Sequence, residues 1–221
     1  MSPGRIKLPS QTAALAGIPA GVQALGPWSG RRQLFVRFAS EAETATLYTA
    51  DALRGELKRL VARSRYHSIA VAGRDPLAES EYLVAAFQGG APIPVMLAHD
   101  GQRPDALRAL LPSIALVQVE MNGTEAEPVV ERACETLALA ADKQVKHALV
   151  IVPAADSSDA LLLRVVERAA AASVRTEVVV HPAVDSLTDP DRRWILWLER
   201  ATQVHDDVRV VRCLPAPTGM R

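Results

Sequence analysis

The sequence predicts an α/β fold built around a parallel sheet. From Arg31 onward, short apolar runs of strand length alternate with amphipathic helical patterns. These runs are nearly all continuously apolar, which is typical of parallel strands covered on both faces, whereas the strands of a sandwich alternate polar and apolar residues. The two observations together indicate a series of βα units that ends in a closing strand.

Seven segments have the length and composition of buried strands. In chain order they are Gln33–Ala39, Ser68–Gly73, Ile93–Ala98, Ile114–Glu120, His147–Val152, Thr176–His181 and Val208–Leu214. Residues 1–30 are rich in glycine and proline at irregular spacing, so we interpret them as a lead-in of loops and short turns. Residues 31–221 are then expected to form a single domain.

Helical patterns lie between the predicted strands. The segment Asp51–Ser64 and the segment Arg192–Ala201 each place apolar residues on one face at helical spacing. The apolar positions are Leu53, Leu57, Leu60 and Val61 in the first segment, and Trp194, Trp197, Leu198 and Ala201 in the second. Prolines suit first helical positions at Pro76, Pro104, Pro128 and Pro190. Asp75 precedes the first of these prolines and is predicted to act as an N-cap.

Two architectures satisfy this alternation, a doubly wound open sheet and a complete or partial βα barrel. The first predicted strand is not followed by GxGxxG, and the sequence has no P-loop. The common nucleotide-binding form of the open sheet therefore loses its main support. We expect a partial (βα)6-type TIM-like barrel of parallel strands, with six or seven strands rather than eight.

Composition argues against several classes of function. Lys plus Arg equals Asp plus Glu at 25 each, so the formal net charge is zero. A protein without net charge has no overall electrostatic attraction for polyanions, so we expect no general nucleic-acid binding and no attraction to anionic membranes. A local basic patch is still compatible with this composition. No apolar run approaches the roughly 20 residues that span a bilayer, and the N-terminus lacks the apolar core of a secretion signal. We therefore predict a cytoplasmic protein.

Cysteine usage predicts neither a disulfide framework nor a zinc site. Cys134 and Cys213 lie far apart and show no CxxC spacing. No two histidines share a predicted strand, and no GxSxG elbow occurs. Neither a metal site nor a nucleophilic enzyme is therefore expected.

Ligands of parallel βα folds bind beyond the carboxyl ends of the strands. Three residues at these ends, His99, Glu120 and His181, have no capping role, so we take them as candidate catalytic residues. An imidazole would be the natural proton-transfer group, since its unperturbed pKa lies near ~6.5. Other polar residues at the same ends are Ser40, Glu41, Arg74, Asp75, Asp100, Asn122, Asp156, Ser157 and Asp185.

The segment Val22–Ser40, VQALGPWSGRRQLFVRFAS, resembles the opening of radical S-adenosylmethionine enzymes of the 7-carboxy-7-deazaguanine synthase type. That opening typically leads into a CxxxCxxC iron–sulfur motif. The segment Val71–Leu83, VAGRDPLAESEYL, resembles the family's GGEP motif, which holds the amino group of S-adenosylmethionine. The resemblance extends from Val22 to His181 and implies a partial barrel. It also implies a pocket for S-adenosylmethionine, at Gly73, Arg74, Asp75 and Asn122.

The chain departs from the family at the cluster. Continuing the register from FVRFAS, the three cluster cysteines fall at Glu41, Ala45 and Tyr48, and none of these side chains is a thiolate. Arg74 also stands where the family has a glutamate, or the shorter acid Asp75 stands there if the register slips by one. The resemblance therefore implies a degenerate member without a [4Fe–4S] cluster. We predict a pseudoenzyme that binds, scaffolds or regulates without radical chemistry.

Two alternatives stay open. The first is a non-radical enzyme that reuses the barrel mouth to bind a polar metabolite, or S-adenosylmethionine as an ordinary ligand, with the His, Glu and Asp residues above as acid–base groups. The second is an unrelated βα barrel. The sequence does not fix whether a binding partner is another protein, a small metabolite or a second copy of the chain. Trp194 and Trp197 are candidate contacts, but their helical spacing favours a place in the core.

Overall fold

The computed structural model describes residues 11–154, 156–182 and 192–211. These residues form a mixed α/β fold. The strands are β1 (Thr12–Gly17), β2 (Ala20–Val22), β3 (Arg32–Phe38), β4 (Thr46–Thr49), β5 (Ser68–Gly73), β6 (Val95–His99), β7 (Leu116–Met121), β8 (Lys146–Ile151), β9 (Glu177–Val180) and β10 (Val208–Val210). The α-helices are α1 (Ala50–Arg63), α2 (Ser80–Phe87), α3 (Pro104–Arg108), α4 (Glu127–Asp142), α5 (Asp159–Ala172) and α6 (Arg193–Ala201).

All ten described strands join one sheet, which is mostly parallel. Its hydrogen-bonded order is β10-β9-β8-β7-β6-β5-β3-β1-β4, and β2 pairs with β3. The run from β3 to β10 is parallel and follows chain order without a reversal, in contrast to the doubly wound alternative. Among the described strands, β10 and β4 form the two ends of this pairing, so hydrogen bonds do not close the sheet.

The seven predicted parallel strands are confirmed, each with its bounds shifted by at most a few residues; β10 is described only as far as Val210. The interpretation of residues 1–30 as loops and turns was wrong for β1 and β2. Ala13 and Leu15 of β1 are fully buried, and β1 lies between β3 and β4 in the sheet. β4 also forms in the stretch after β3 that was expected to be a loop. The domain division at residue 30 itself stays a prediction.

The two faces of the sheet are covered differently. Side chains alternate along each strand, and one set packs with the buried faces of the helices in the main core. The opposite set forms a smaller cluster, which we call the inner face; it contains Ala70, Met96, Ala98, Leu116 and Ala148. Trp28, Phe35 and Ala72 pack against it, and no described helical residue belongs to it. Right-handed crossovers between strands in sequential order explain this, because they place the helices on one side.

The predicted helical faces are confirmed. Leu53 and Leu57 of α1 are buried, and Trp194 and Trp197 of α6 are 7% and 0% exposed. The two indole rings meet edge to face with centroids 6.0 Å apart. The tryptophans are therefore core residues rather than a contact surface. In the described part of the chain, no helix combines the length and apolar character needed to cross a membrane.

Candidate functional site

A loop from the lead-in covers the inner face of the sheet. We call residues Gln23–Arg31 the cover segment. It is closed on itself, since the Gly30 N–H donates to the Gln23 carbonyl at 2.8 Å and the Gln23 N–H donates to the Arg31 carbonyl at 2.9 Å. Trp28 packs on the apolar cluster of the inner face. Part of the inner face is thus covered by the chain's own loop.

Gly26 is the tightest contact of the cover segment. Its φ is +76°, and its N–H donates to Nε2 of His181 at 2.8 Å. A Cβ at this position would lie 2.0 Å from Oε1 of Gln118 and 3.0 Å from Cγ2 of Val150. Both the backbone angle and the space therefore require glycine here. The cover segment sits directly on β7, β8 and the residue that follows β9.

Gln118 and Glu120 of β7 form the polar part of the inner face. The fully buried Gln118 donates from Nε2 to Oε1 of Glu120 at 2.7 Å. Burial raises the pKa of the Glu120 carboxyl, and the hydrogen bond from Gln118 opposes this by lowering it. A carboxyl group with a raised pKa is suited to general acid–base chemistry. Sequence reasoning missed Gln118, although it is the one polar residue inside the apolar run IALVQVE.

The structure brings His181 and Glu120 to the same face. Glu120 pairs with Val150, and Val150 pairs with Val179, two residues before His181. His181 is 1% exposed, and its contact with Gly26 lies on this same side. Two of the three candidate catalytic residues therefore share the inner face, beneath the cover segment.

His99 faces the opposite side of the sheet. It is the last residue of β6 and pairs with Val119, which belongs to the main core with the helices. Its Nδ1 accepts a hydrogen bond from the Gly101 N–H at 3.0 Å, and Nε2 has no partner among the described residues. Burial lowers the pKa of His99 to about 4, against the opposing charges of Asp100 and Asp75. His99 is thus a separate buried imidazole, outside the group formed by Glu120 and His181.

Gly73 and Arg74 stand where β3 and β5 end side by side. Gly73 has φ +106°, and a Cβ there would lie 2.4 Å from the carbonyl oxygen of Phe38. The close approach of the two backbones therefore requires glycine. Arg74 forms an exposed ion pair with Glu41 at 2.8 Å. Arg74, which was predicted to bind a ligand, is thus in contact with Glu41, which stands at a predicted cluster position.

The other two cluster positions have different surroundings. Ala45 is exposed, whereas Tyr48 lies in β4 opposite Ala13 of β1 and packs against the main core. Glu43, between Glu41 and Ala45, accepts hydrogen bonds from the Ser40 N–H and hydroxyl, both at 3.0 Å. Among the described residues, no three histidine, cysteine or acidic side chains are grouped so as to hold a metal ion.

Asp75 does not cap the turn that begins at Pro76, so the prediction of an N-cap was wrong. Its φ is 40°, and no cap hydrogen bond forms. Its carboxylate instead accepts two hydrogen bonds from Arg103, from Nε at 2.9 Å and from Nη2 at 2.6 Å. These paired hydrogen bonds connect the loop after β5 to the loop after β6.

Asn122 is held in a turn after β7. Its Oδ1 accepts hydrogen bonds from the Thr124 N–H at 2.8 Å and from the Thr124 hydroxyl at 2.6 Å. Its carbonyl accepts a hydrogen bond from the Ser157 hydroxyl at 2.8 Å. The helix cap of α5 is supplied by Ser158, which accepts from the Leu161 N–H at 3.3 Å. Asp185 lies outside the described residues.

Comparisons with known proteins leave the family open. A scan against protein-family models found no match, and a search of curated proteins also found none. The chemistry of this site therefore has to be inferred from its own residues.

Proposed function

We propose that this chain is a cytoplasmic, cluster-free relative of the radical S-adenosylmethionine enzymes, which binds or scaffolds a partner without radical chemistry. The resemblance of Val22–Ser40 and the lack of thiols at Glu41, Ala45 and Tyr48 support it. We further propose that the sheet curves as a partial βα barrel around the inner face. Parallel strands in sequential order, with helical residues packed on one side, are what such a barrel requires.

The cover segment is the observation that carries this proposal. In a βα barrel, ligands enter from the carboxyl ends of the strands. Here the backbone of Gly26 touches the side chains of Gln118 and His181, and Trp28 packs on the apolar part of the same face. An inner face occupied by the chain's own loop favours binding through other surfaces over turnover at this one.

Anaerobic reconstitution with iron and sulfide tests the proposal. We expect wild-type protein to take up no more iron than the C134S/C213S variant, which has no thiols, and to show no absorbance in the charge-transfer region of a cluster. Cys134 and Cys213 do not reproduce the CxxxCxxC spacing, so the two proteins should behave alike. Stoichiometric iron bound by the wild type alone would overturn the proposal.

The pairing of Glu120 with His181 favours one second candidate, an enzyme that uses the inner face for acid–base chemistry. A carboxyl with a raised pKa and a buried imidazole are suitable groups, once the cover segment moves aside. S-adenosylmethionine could then bind as an ordinary ligand, with the cation of Arg74 holding its carboxylate.

Titration calorimetry with S-adenosylmethionine separates the two candidates. Saturable binding to the wild type or to the G26A variant, lost in the matched R74A variants, would favour the enzyme. No heat from either protein would favour the binding or scaffold role. The G26A variant is included because a Cβ at this position would lie 2.0 Å from Oε1 of Gln118, so that the buried Gln118 side chain or the cover segment has to shift.

A further inference from the structure

Four arginines gather at the amino ends of β3 and β5, at the end of the sheet opposite the strand ends that carry Glu120 and His181. Arg32 begins β3 and Arg31 precedes it, whereas Arg63 ends α1 and Arg65 lies in the loop that enters β5. All four are exposed, and none forms an ion pair with a described acidic residue. We call these arginines, together with Trp28, Tyr66 and His67, the amino-end surface.

Arg32 fixes the geometry of this surface. Its Nη1 donates to the Ser64 hydroxyl and to the Arg65 carbonyl, both at 3.2 Å. Its guanidinium carbon lies 4.6 Å from the centroid of the Tyr66 ring. The His67 N–H donates to the Arg32 carbonyl at 2.8 Å. The arginines from β3 and from the loop before β5 are therefore held together by the fold.

Aromatic rings lie among these cations. The ring of Trp28 meets His67 edge to face with centroids 4.8 Å apart, and both Trp28 and Tyr66 are half-buried. Only 4% of the chain is aromatic, so two such rings beside four arginines form a distinct local chemistry. The Arg31 N–H donates to the Trp28 carbonyl at 3.1 Å, so Arg31 lies beside the same rings. Burial and, second, the charge of Arg31 lower the pKa of His67.

A favourable interaction with a helix dipole explains the position of only one of these arginines. A cation in the last turn of a helix is favourable, which explains Arg63 at the end of α1. Arg31 and Arg65 lie outside the helix and have no such role. Like charges held close together repel one another, so the group becomes more favourable when an anion joins it.

An open groove continues along the same edge of the sheet. It has a volume of about 500 Å³ and lies at the amino ends of β6 and β7. Its lining includes Gly89, Gly90, Pro94 and Pro112, and no charged residue. The Pro94 carbonyl accepts from the Ile69 N–H at 2.9 Å, so the groove begins one strand away from His67. An extended polyanion could pass from the arginines into this groove without meeting an acidic lining.

We propose that the amino-end surface binds single-stranded nucleic acid. Guanidinium groups bind phosphate through paired N–H donors, and half-buried aromatic rings can stack on unpaired bases. The rings favour this partner over an acidic peptide or an anionic membrane, neither of which carries bases. The interaction is local, so it is compatible with a net charge of zero. It shares Trp28 and Arg31 with the cover segment, but it does not use Glu120 or His181, and it goes beyond the function proposed above.

Fluorescence anisotropy with the full chain and a labelled oligothymidylate of about 15 nucleotides tests the proposal. We expect binding at about 50 mM salt that weakens roughly 10- to 50-fold at about 200 mM, because four neutralised phosphates give a log–log slope near −2.8. R31E/R65E should weaken binding at least about 10-fold. R108E/R132E changes the net charge equally at exposed sites on α3 and α4, so its affinity should stay within about 2-fold of wild type.

A second pair of variants tests the stacking. Y66L keeps every charge and should weaken binding by about 5-fold or more, whereas Y66F keeps the ring and should bind as the wild type does. Circular dichroism checks that each variant is folded. The proposal is overturned if the wild type fails to bind at low salt, or if both charge-reversal variants lose affinity equally. It is also overturned if phosphatidylserine vesicles bind and the oligonucleotide does not. None of these results bears on iron or S-adenosylmethionine, so the function proposed above is tested separately.

Discussion

His99 and Glu120 lie near the carboxyl ends of the neighbouring strands β6 and β7, and burial moves their pKa values in opposite directions. Burial disfavours the charged form of each group, so it lowers the pKa of the imidazole and raises the pKa of the carboxyl. The Gly101 N–H adds a second constraint at His99, because it occupies Nδ1 as an acceptor. A neutral His99 therefore carries its proton on Nε2, inside the main core.

A pH titration of stability tests this description of His99. Its folded pKa of about 4 lies below the ordinary 6.5, so the unfolded chain binds the proton more tightly. The contribution of His99 is complete above about pH 6.5 and is lost as the pH falls toward 4. Between about pH 7 and pH 4.5 the wild type should lose about 2 kcal/mol more unfolding free energy than H99N, whose Oδ1 can still accept from Gly101. Urea unfolding at both pH values measures the difference, and equal losses would show that His99 titrates normally.

The sequence could place the candidate residues at strand ends, but it could not assign them to faces. Side chains alternate with a period of two, so a shift of one residue at a strand end moves a side chain to the other face. Because of this alternation, His99 faces the opposite side of the sheet from Glu120 and His181. Gln118 was missed for another reason, because a single polar residue does not interrupt an apolar run. Its role depends on Gly26, which is remote in the chain.

At the scale of elements, the cover segment is held by a few local bonds and one glycine contact. G26A should release it, since the added Cβ would meet Gln118 and Val150. G30A is the matched control, because Gly30 has φ +82° but nothing lies within 4 Å of its Cβ position. In both variants the positive φ angle costs about 1–2 kcal/mol of stability. Only G26A adds a steric clash with Gln118 and Val150.

Hydrogen exchange of the amides in residues 23–31 distinguishes these two variants. We expect exchange in G26A to be at least about 10-fold faster than in G30A, because the extra steric cost of about 1–3 kcal/mol opens the loop. Amides in β7 and β8 serve as an internal reference in each sample. Equal exchange in the two variants would mean that the cover segment does not depend on its contact with the inner face.

The elements that sequence reasoning found differ physically from those that it missed. Buried parallel strands are continuously apolar, so β5 and β8 were visible as uninterrupted runs. β1, β2 and β4 are antiparallel strands that contain Ala, Gly and Thr, and apart from Ala13 and Leu15 of β1 their residues are partly buried or exposed. Glycine and proline around Gly17 further suggested turns. β1 and β2 pair with β3, and β4 pairs with β1, so these strands depend on partners in the assembled sheet.

At the scale of the whole molecule, one core runs from the lead-in to the last strand. It includes Ala13 and Leu15 of β1 together with Trp197 of α6 and Val208 of β10. The charges, by contrast, are unevenly paired. At the carboxyl end Glu41 pairs with Arg74 and Asp75 pairs with Arg103, while Arg31 and Arg65 precede strands at the amino end and form no ion pair with a described acidic residue. A net charge of zero conceals this difference in pairing, which could be seen only after the strands had been placed side by side.

The lead-in should therefore contribute to stability as a part of the core. L15A removes a fully buried side chain from β1 and should lower the unfolding free energy by about 2–5 kcal/mol, because it leaves a cavity. L47A, in the adjacent strand β4, removes a side chain that is 60% exposed and should cost about 0.5 kcal/mol or less. Urea unfolding followed by circular dichroism compares the two variants in one transition. If L15A cost no more than L47A, residues before β3 would be a separate appendage, and the division at residue 30 would be a true domain boundary.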